Sequence, residues 1–221
     1  MTFSPLAQNL WALGGLVFWC IAYGLMIRRG LKDRSYGMPM VALCLNVAWE
    51  IYFSLFSNAQ LANRIGYGVY LAFDLGVLYT CLRFGPEDFT SRLTRRVFRP
   101  LTIATLIGGF FLVRQFSISF DDAYGGISAT FTTLLLSVLM VGMILRRDSV
   151  QGQSLYIGFA VLIGDICGWV MNLIAHQTVQ PNISIPWVHT TNVLIVAANV
   201  LYILLFLHVA RRDGVDPWRR L

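Results

Sequence analysis

Seven apolar runs follow one another along the chain with only short polar loops between them. They lie at about Leu10–Ile27, Pro39–Phe56, Gly66–Leu82, Leu101–Phe116, Ile127–Leu145, Leu155–Ala175 and Trp187–Val209. A hydrocarbon core of roughly 30 Å takes about 20 residues of helix. Seven such spans use nearly all of the 221 residues and leave no room for a separate soluble domain. In lipid every backbone polar group must be satisfied within its own segment, so the runs are expected to be helices. The expectation is an all-α, polytopic seven-transmembrane-helix bundle forming a single domain over residues 1–221. Composition agrees, with 57% hydrophobic and 13% charged residues and a mean hydropathy of +0.64.

The polar loops set the orientation. RRGLKDR, RFGPEDFTSRLTRRVFR, RRDSVQGQ and the terminal ARRDGVDPWRRL hold fifteen of the seventeen Lys and Arg residues, all on one side of this division. Only Arg64 and Arg114 fall near the other side. The positive-inside rule then places the C-terminus in the cytoplasm, and an odd number of spans places the N-terminus outside. A net charge of +6 would in another chain suggest nucleic acid. Here the basic residues sit at the ends of apolar runs and read as topology signals, so no nucleic-acid partner is expected. The first run lacks a basic n-region and a small-residue cleavage pattern, and is read as a retained span. Cys20, Cys44, Cys81 and Cys167 lie in apolar stretches without CxxC spacing, which indicates neither a disulfide framework nor a zinc site. No metal or cofactor is expected. Gly108, Gly109, Gly142, Gly164 and Gly168 read as sites of close helix packing, the last two as GxxxG around Asp165.

Three carboxylates, Glu50, Asp74 and Asp165, fall inside the runs, where an acid facing lipid is costly. Counting 1.5 Å per residue puts Glu50 roughly 16 Å and Asp165 roughly 15 Å from the cytoplasmic starts of their helices. Asp74 lies roughly 12 Å and Asn199 roughly 18 Å from the outer starts of theirs. Four polar groups on four helices thus converge near one depth, as the lining of a shared cavity would. In the second run Asn46 and Glu50 are one turn apart, with Trp49 bordering their face. In the sixth, Asp165, Trp169 and Asn172 follow i, i+4, i+7 spacing. Each acid can alternatively be a polar bond that fastens helices, and deep aromatics can be packing. Asp121 and Asp122, opening DDAYG between the fourth and fifth runs, read as a solvated loop.

A carboxylic acid in a dry pocket resists ionisation and can act as a Brønsted acid. Aromatic faces stabilise a nearby cation by about 0.5 to 2 kcal/mol each. Acid and aromatic lining together suit carbocation chemistry. The segment SYGMPMVALCLNVAWEIYFSL, from Ser35 to Leu55, resembles the motif of the small integral membrane terpene cyclases of fungal meroterpenoid and indole diterpene pathways, and of their bacterial drimentine-type relatives. Tyr36, Gly37, Met38, Asn46, Trp49 and Glu50 carry the likeness, supported by Tyr52. RRDSVQGQSLYIGF resembles the family's charged loop leading into its sixth helix.

The resemblance implies a membrane-bound cyclase that protonates a terminal alkene or epoxide of a prenylated, farnesylated aromatic or indole/diketopiperazine substrate, with Glu50 as the acid and no loss of diphosphate. DDxxD, NDxxD and DxDD are all missing from the sequence, in keeping with that chemistry. The family places a second acid in its last helix, followed three residues later by an aromatic. The matching residues here are Asn199 and Tyr202, and an amide cannot donate a catalytic proton. Asp165 or Asp74 is then expected to supply the partner while Asn199 orients Glu50 or the substrate. Asn46, Trp49, Tyr52, Asp74, Trp169, Asn172 and Tyr202 are expected to bind substrate or stabilise cations. The partners expected are a hydrophobic prenylated molecule and membrane lipid, in a bacterial plasma membrane. A retinal protein would need a lysine within a span, and the only lysine is Lys32 in a polar loop. A proton-coupled transporter or a small membrane receptor remains the rival reading.

Overall fold

The computed structural model describes residues 3–221, which form seven α-helices and no strand. They are α1 Pro5–Asp33, α2 Met40–Leu55, α3 Leu61–Phe84, α4 Arg92–Ser119, α5 Gly126–Arg147, α6 Leu155–Thr178 and α7 Ile185–Arg212. Each helix holds one of the seven apolar runs, and six of them are long and apolar enough to cross a membrane. Most helices outrun their apolar stretch because the start signals lie in the polar flanks. The hydroxyls of Ser4, Ser91, Ser154 and Ser184 cap α1, α4, α6 and α7 by accepting an amide N–H of the first turn.

The exception is α2, whose 16 residues rise only about 24 Å. Neighbour relations explain how so short a helix is accommodated. The helices close a ring in the order α1, α3, α2, α5, α7, α6, and α4 lies outside it against α2. With α3, α4 and α5 around it, α2 buries nearly every residue from Ala42 to Glu50. At its far end Arg64 donates to the carbonyls of Ser54 (3.0 Å) and Leu55 (3.3 Å). A cation at a helix C-terminus meets the negative end of the dipole. One of the two basic residues that break the charge asymmetry is therefore a local cap.

The ring differs along its length. Towards the end that carries the basic loops it is filled with apolar side chains, among them Met26, Met38, Leu43, Ile144, Leu155 and Phe206. This basic end is tied by ion pairs. Asp33 meets Arg29 and Arg220, and Asp88 meets Arg146 at 3.0 Å and Arg147 at 2.8 Å. The two segments that carry the family resemblance touch here. Arg147 donates to the Tyr36 carbonyl at 2.9 Å and lies over the Tyr36 ring, while Gln153 donates to the Gly37 carbonyl at 2.8 Å. Gly152, at φ 74°, lies so close that a Cβ would sit 2.8 Å from the Tyr36 carbonyl oxygen, which leaves no room for a side chain.

The DDAYG loop corrects an expectation. Asp121 is exposed, but Asp122 is fully buried. Its carboxylate accepts the N–H groups of Ile127 (3.1 Å) and Ser128 (2.8 Å), the Ser128 hydroxyl (2.6 Å) and the Gln180 amide (2.8 Å). The two backbone N–H groups are free donors at the start of α5, where an acid is favoured by the dipole. Asp122→Ala is expected to destabilise the fold by about 2 to 4 kcal/mol, since it strands four donors. Thermal denaturation in detergent should show Asp122→Ala melting well below the parent and Asp121→Ala melting with it. Equal melting of all three would contradict the cap.

Candidate active site

Away from the basic end the ring is hollow. A cavity of about 620 Å³ runs from the helix ends marked by Gln8, Gln60, Tyr124 and Gln180 down to Glu50 and Asp165. No residue of α4 lines it, in keeping with the place of α4 outside the ring. The walls beside Glu50 are aromatic, with Trp19 and Tyr23 from α1, Trp49 from α2, and Tyr67 and Tyr70 from α3. The Trp49 and Tyr67 ring centroids are 4.8 Å apart, edge to face. The Trp49 indole donates to Ser128 Oγ at 2.9 Å, so the cap at Asp122 also holds the ring. Gly125, at φ 80°, lets the backbone approach this indole, where a Cβ would lie 2.6 Å from Trp49 Cζ2.

Glu50 is 1% exposed, and its Oε2 has no hydrogen-bond partner among the described residues. Its Oε1 lies 3.4 Å from the Tyr23 hydroxyl and 3.2 Å from Asn46 Nδ2. Asn46 Nδ2 also lies 2.7 Å from Tyr23 Oη and 2.7 Å from Asp74 Oδ2. An amide nitrogen carries two hydrogens, so it cannot serve all three oxygens at once. The two short contacts take them, and the Tyr23 hydroxyl is left to donate to Glu50. This arrangement occupies one oxygen of Glu50 and leaves the other free. Asp74 reaches the group only through Asn46. It is fully buried and does not line the cavity.

Across the cavity, Asp165 accepts a hydrogen bond from Asn199 at 2.7 Å. Asp165 lines the cavity and Asn199 stands behind it. Asn172 also faces the cavity, and its amide donates to Thr130 of α5 at 2.7 Å. The other residues singled out from the sequence lie elsewhere. Trp169 is turned towards α7, donating to His189 Nδ1 at 3.3 Å. Tyr202 is buried near the basic end and donates to Gln153 Oε1 at 2.5 Å, which ties α7 to the loop before α6. Tyr52 packs against Phe53 and Phe110. Among the described residues no three His, Cys, Asp or Glu side chains converge as ligands for a metal ion.

Sequence reasoning passed over Tyr23, Tyr67, Tyr70 and Ser128. For two of these a signal existed, because Tyr67, Tyr70 and Asp74 follow i, i+3, i+7 spacing along α3, which is a single helix face.

Comparison with known proteins bears on the same residues. A family model described as Pyr4-like transmembrane terpene cyclases matches residues 2–212. The terpene cyclase penB of Penicillium crustosum is 32% identical over 172 residues, covering 74% of this chain and 68% of that protein. The terpene cyclase ptmB of Penicillium ochrochloron is 31% identical over 170 residues, with 74% and 68% covered. The Pyr4-family terpene cyclase mfmH of Annulohypoxylon moriforme is 29% identical over 151 residues, with 67% and 62% covered. The chain thus spans about two-thirds of the length of these relatives. No solved structure matches. The relatives are fungal and lend no support to a bacterial membrane. What stands of the expected location is a multi-pass membrane protein.

Proposed function

This chain belongs to the Pyr4-like transmembrane terpene cyclases, and on that premise we propose that it cyclises the tail of a prenylated, neutral small molecule by proton-initiated carbocation chemistry. The observation that carries this reading is the free Oε2 of Glu50, a buried carboxyl oxygen beside an aromatic-walled cavity. Glu50 delivers its proton to the terminal alkene carbon or epoxide oxygen of the prenyl chain. The tertiary cation is then attacked by internal alkenes, and each attack forms a carbon–carbon bond and moves the charge inward. The faces of Trp49, Tyr67 and Tyr70 stabilise that charge. A base removes a C–H proton at the last cation, so substrate and product have the same mass. Asp165 suits this closing step better than Asp74, because it borders the cavity. Asn199 holds it by one oxygen, occupying with an amide the place where the family carries its second acid.

The decisive experiment incubates purified membranes with farnesylated and geranylgeranylated aromatic or indole compounds, with and without terminal epoxides. Conversion to products of unchanged mass supports the cyclase. Uptake into proteoliposomes without conversion would favour the transporter.

The proposal includes a topology of seven spans, with α2 the short, enclosed one, the basic end in the cytoplasm and the mouth on the opposite side. Reporters fused near Arg29, Arg95 and Arg147 and at the tail should read as cytoplasmic, and one at Asp121 as external. A tail on the external side would reverse the assignment.

A further inference from the structure

The GxxxG pair on α6 divides into two roles. Gly164 is a packing glycine, since a Cβ there would lie 2.8 Å from Trp19 Cδ1 of α1. At Gly168 a Cβ would meet no atom within 4 Å, although the residue is on a seven-helix bundle's inner wall between Asp165 and Asn172. Gly66 on α3 has the same property and lines the same cavity. Both stand about one helical turn nearer the mouth than a polar or aromatic side chain beside Glu50 or Asp165. A side chain at either place would project into empty volume without displacing a neighbour. Glu50, whose buried Oε2 has no hydrogen-bond partner among the described residues, lines the same volume.

We infer that Gly168, seconded by Gly66, determines the substrate's size by leaving unfilled the part of the cavity just above the acids. The inference rests on the cyclase reading for the identity of the ligand, and it names a residue with no part in proton transfer. Leucine at Gly168 adds an isobutyl group, close in bulk to one isoprene unit. A tail held with its end at Glu50 then loses about one isoprene unit of room.

The test uses the full-length protein in detergent or nanodiscs and a series of geranyl, farnesyl and geranylgeranyl ethers of one aromatic head group. Saturated analogues give binding through quenching of Trp19 and Trp49, and the unsaturated compounds give conversion by mass spectrometry. Gly168→Leu should shift binding preference towards the next shorter chain by about tenfold or more, the scale on which apolar pockets sense small changes in bulk. Gly168→Ala should shift it less. Gly142→Leu on α5, where a Cβ also meets nothing within 4 Å and which does not line the cavity, should leave it unchanged. A Gly168→Leu protein that melts like the parent and keeps its preference would overturn the inference, as would an equal shift from Gly142→Leu. Chain-length-dependent binding that moves with Gly168, but without any conversion, would uphold this inference while removing the cyclase reading.

Discussion

Glu50→Gln is expected to abolish detectable cyclisation, a loss of about 10⁴ in turnover at the upper end of general acid catalysis, while saturated prenyl analogues should bind as they do to the parent. General acids typically contribute about 10² to 10⁴. Glutamine keeps the shape of the side chain, and its amide oxygen still accepts the Tyr23 hydroxyl that Glu50 Oε1 faces at 3.4 Å. Its nitrogen takes the place of Oε2, which has no partner to lose among the described residues. The substitution therefore leaves the ground state intact and removes only the acidic proton, an effect confined to the transition state. Measured separately, kcat should collapse and the dissociation constant should hold. In deuterated buffer an alkene substrate gains one deuterium at the protonated carbon, whereas an epoxide substrate places it on exchangeable oxygen. A folded Glu50→Gln protein turning over at the parent's rate would sink the assignment.

The second large effect separates the two remaining acids. Asp165→Asn is expected to lower turnover by about 10², the lower end of general base catalysis, and Asp74→Asn by less than about tenfold. Both substitutions preserve size, and the difference comes from place. Asp165 borders the cavity with one oxygen held by Asn199, so its other oxygen is available to a cation. Asp74 is enclosed behind Asn46, does not line the cavity, and bears on Glu50 through that amide and through its charge. Turnover and product ratios in the two variants check this. Equal near-native rates, or a greater loss at Asp74, would reject the ranking.

The fold was legible because the bilayer imposes one solution on an apolar run, and each run became a helix. The helix ends were less so, since serine caps at positions such as Ser4 and Ser184 lie outside the apolar pattern. Glu50, Asn46 and Trp49 line the cavity, and an amide one turn from an acid is the local signal that singles them out. Trp169 shows the limit of that logic. Positions i+4 and i+7 diverge from i in opposite senses around a helix, by about 40° and 20°. With Asn172 on the cavity wall, Trp169 is carried to its edge and towards His189. Tyr202 lies three residues past Asn199 and nearer the basic end, where its hydroxyl finds Gln153 instead of the cavity. Tyr23 left no trace in the sequence, as it stands alone on an apolar helix and acquires meaning only through Asn46 and Glu50. Asp122 was misread because an acid pair between helices looks solvated until the start of α5 is seen to need an acceptor.

The packed half of the ring has a consequence for the compartments on either side. Between Glu50 or Asp165 and the basic end stand Met26, Met38, Leu43, Ile144, Leu155 and Phe206, with Tyr202 and Gln153 as a buried polar pair among them. A bare charge in such surroundings costs several kcal/mol at least. On the cyclase reading the acids would exchange protons through the cavity that both of them line. A carrier driven by an ion gradient must open by turns to both faces, and the cavity here is lined from one end of the ring. On the proposed reading, acid chemistry beside this packed half would leave the membrane that holds it intact as a barrier.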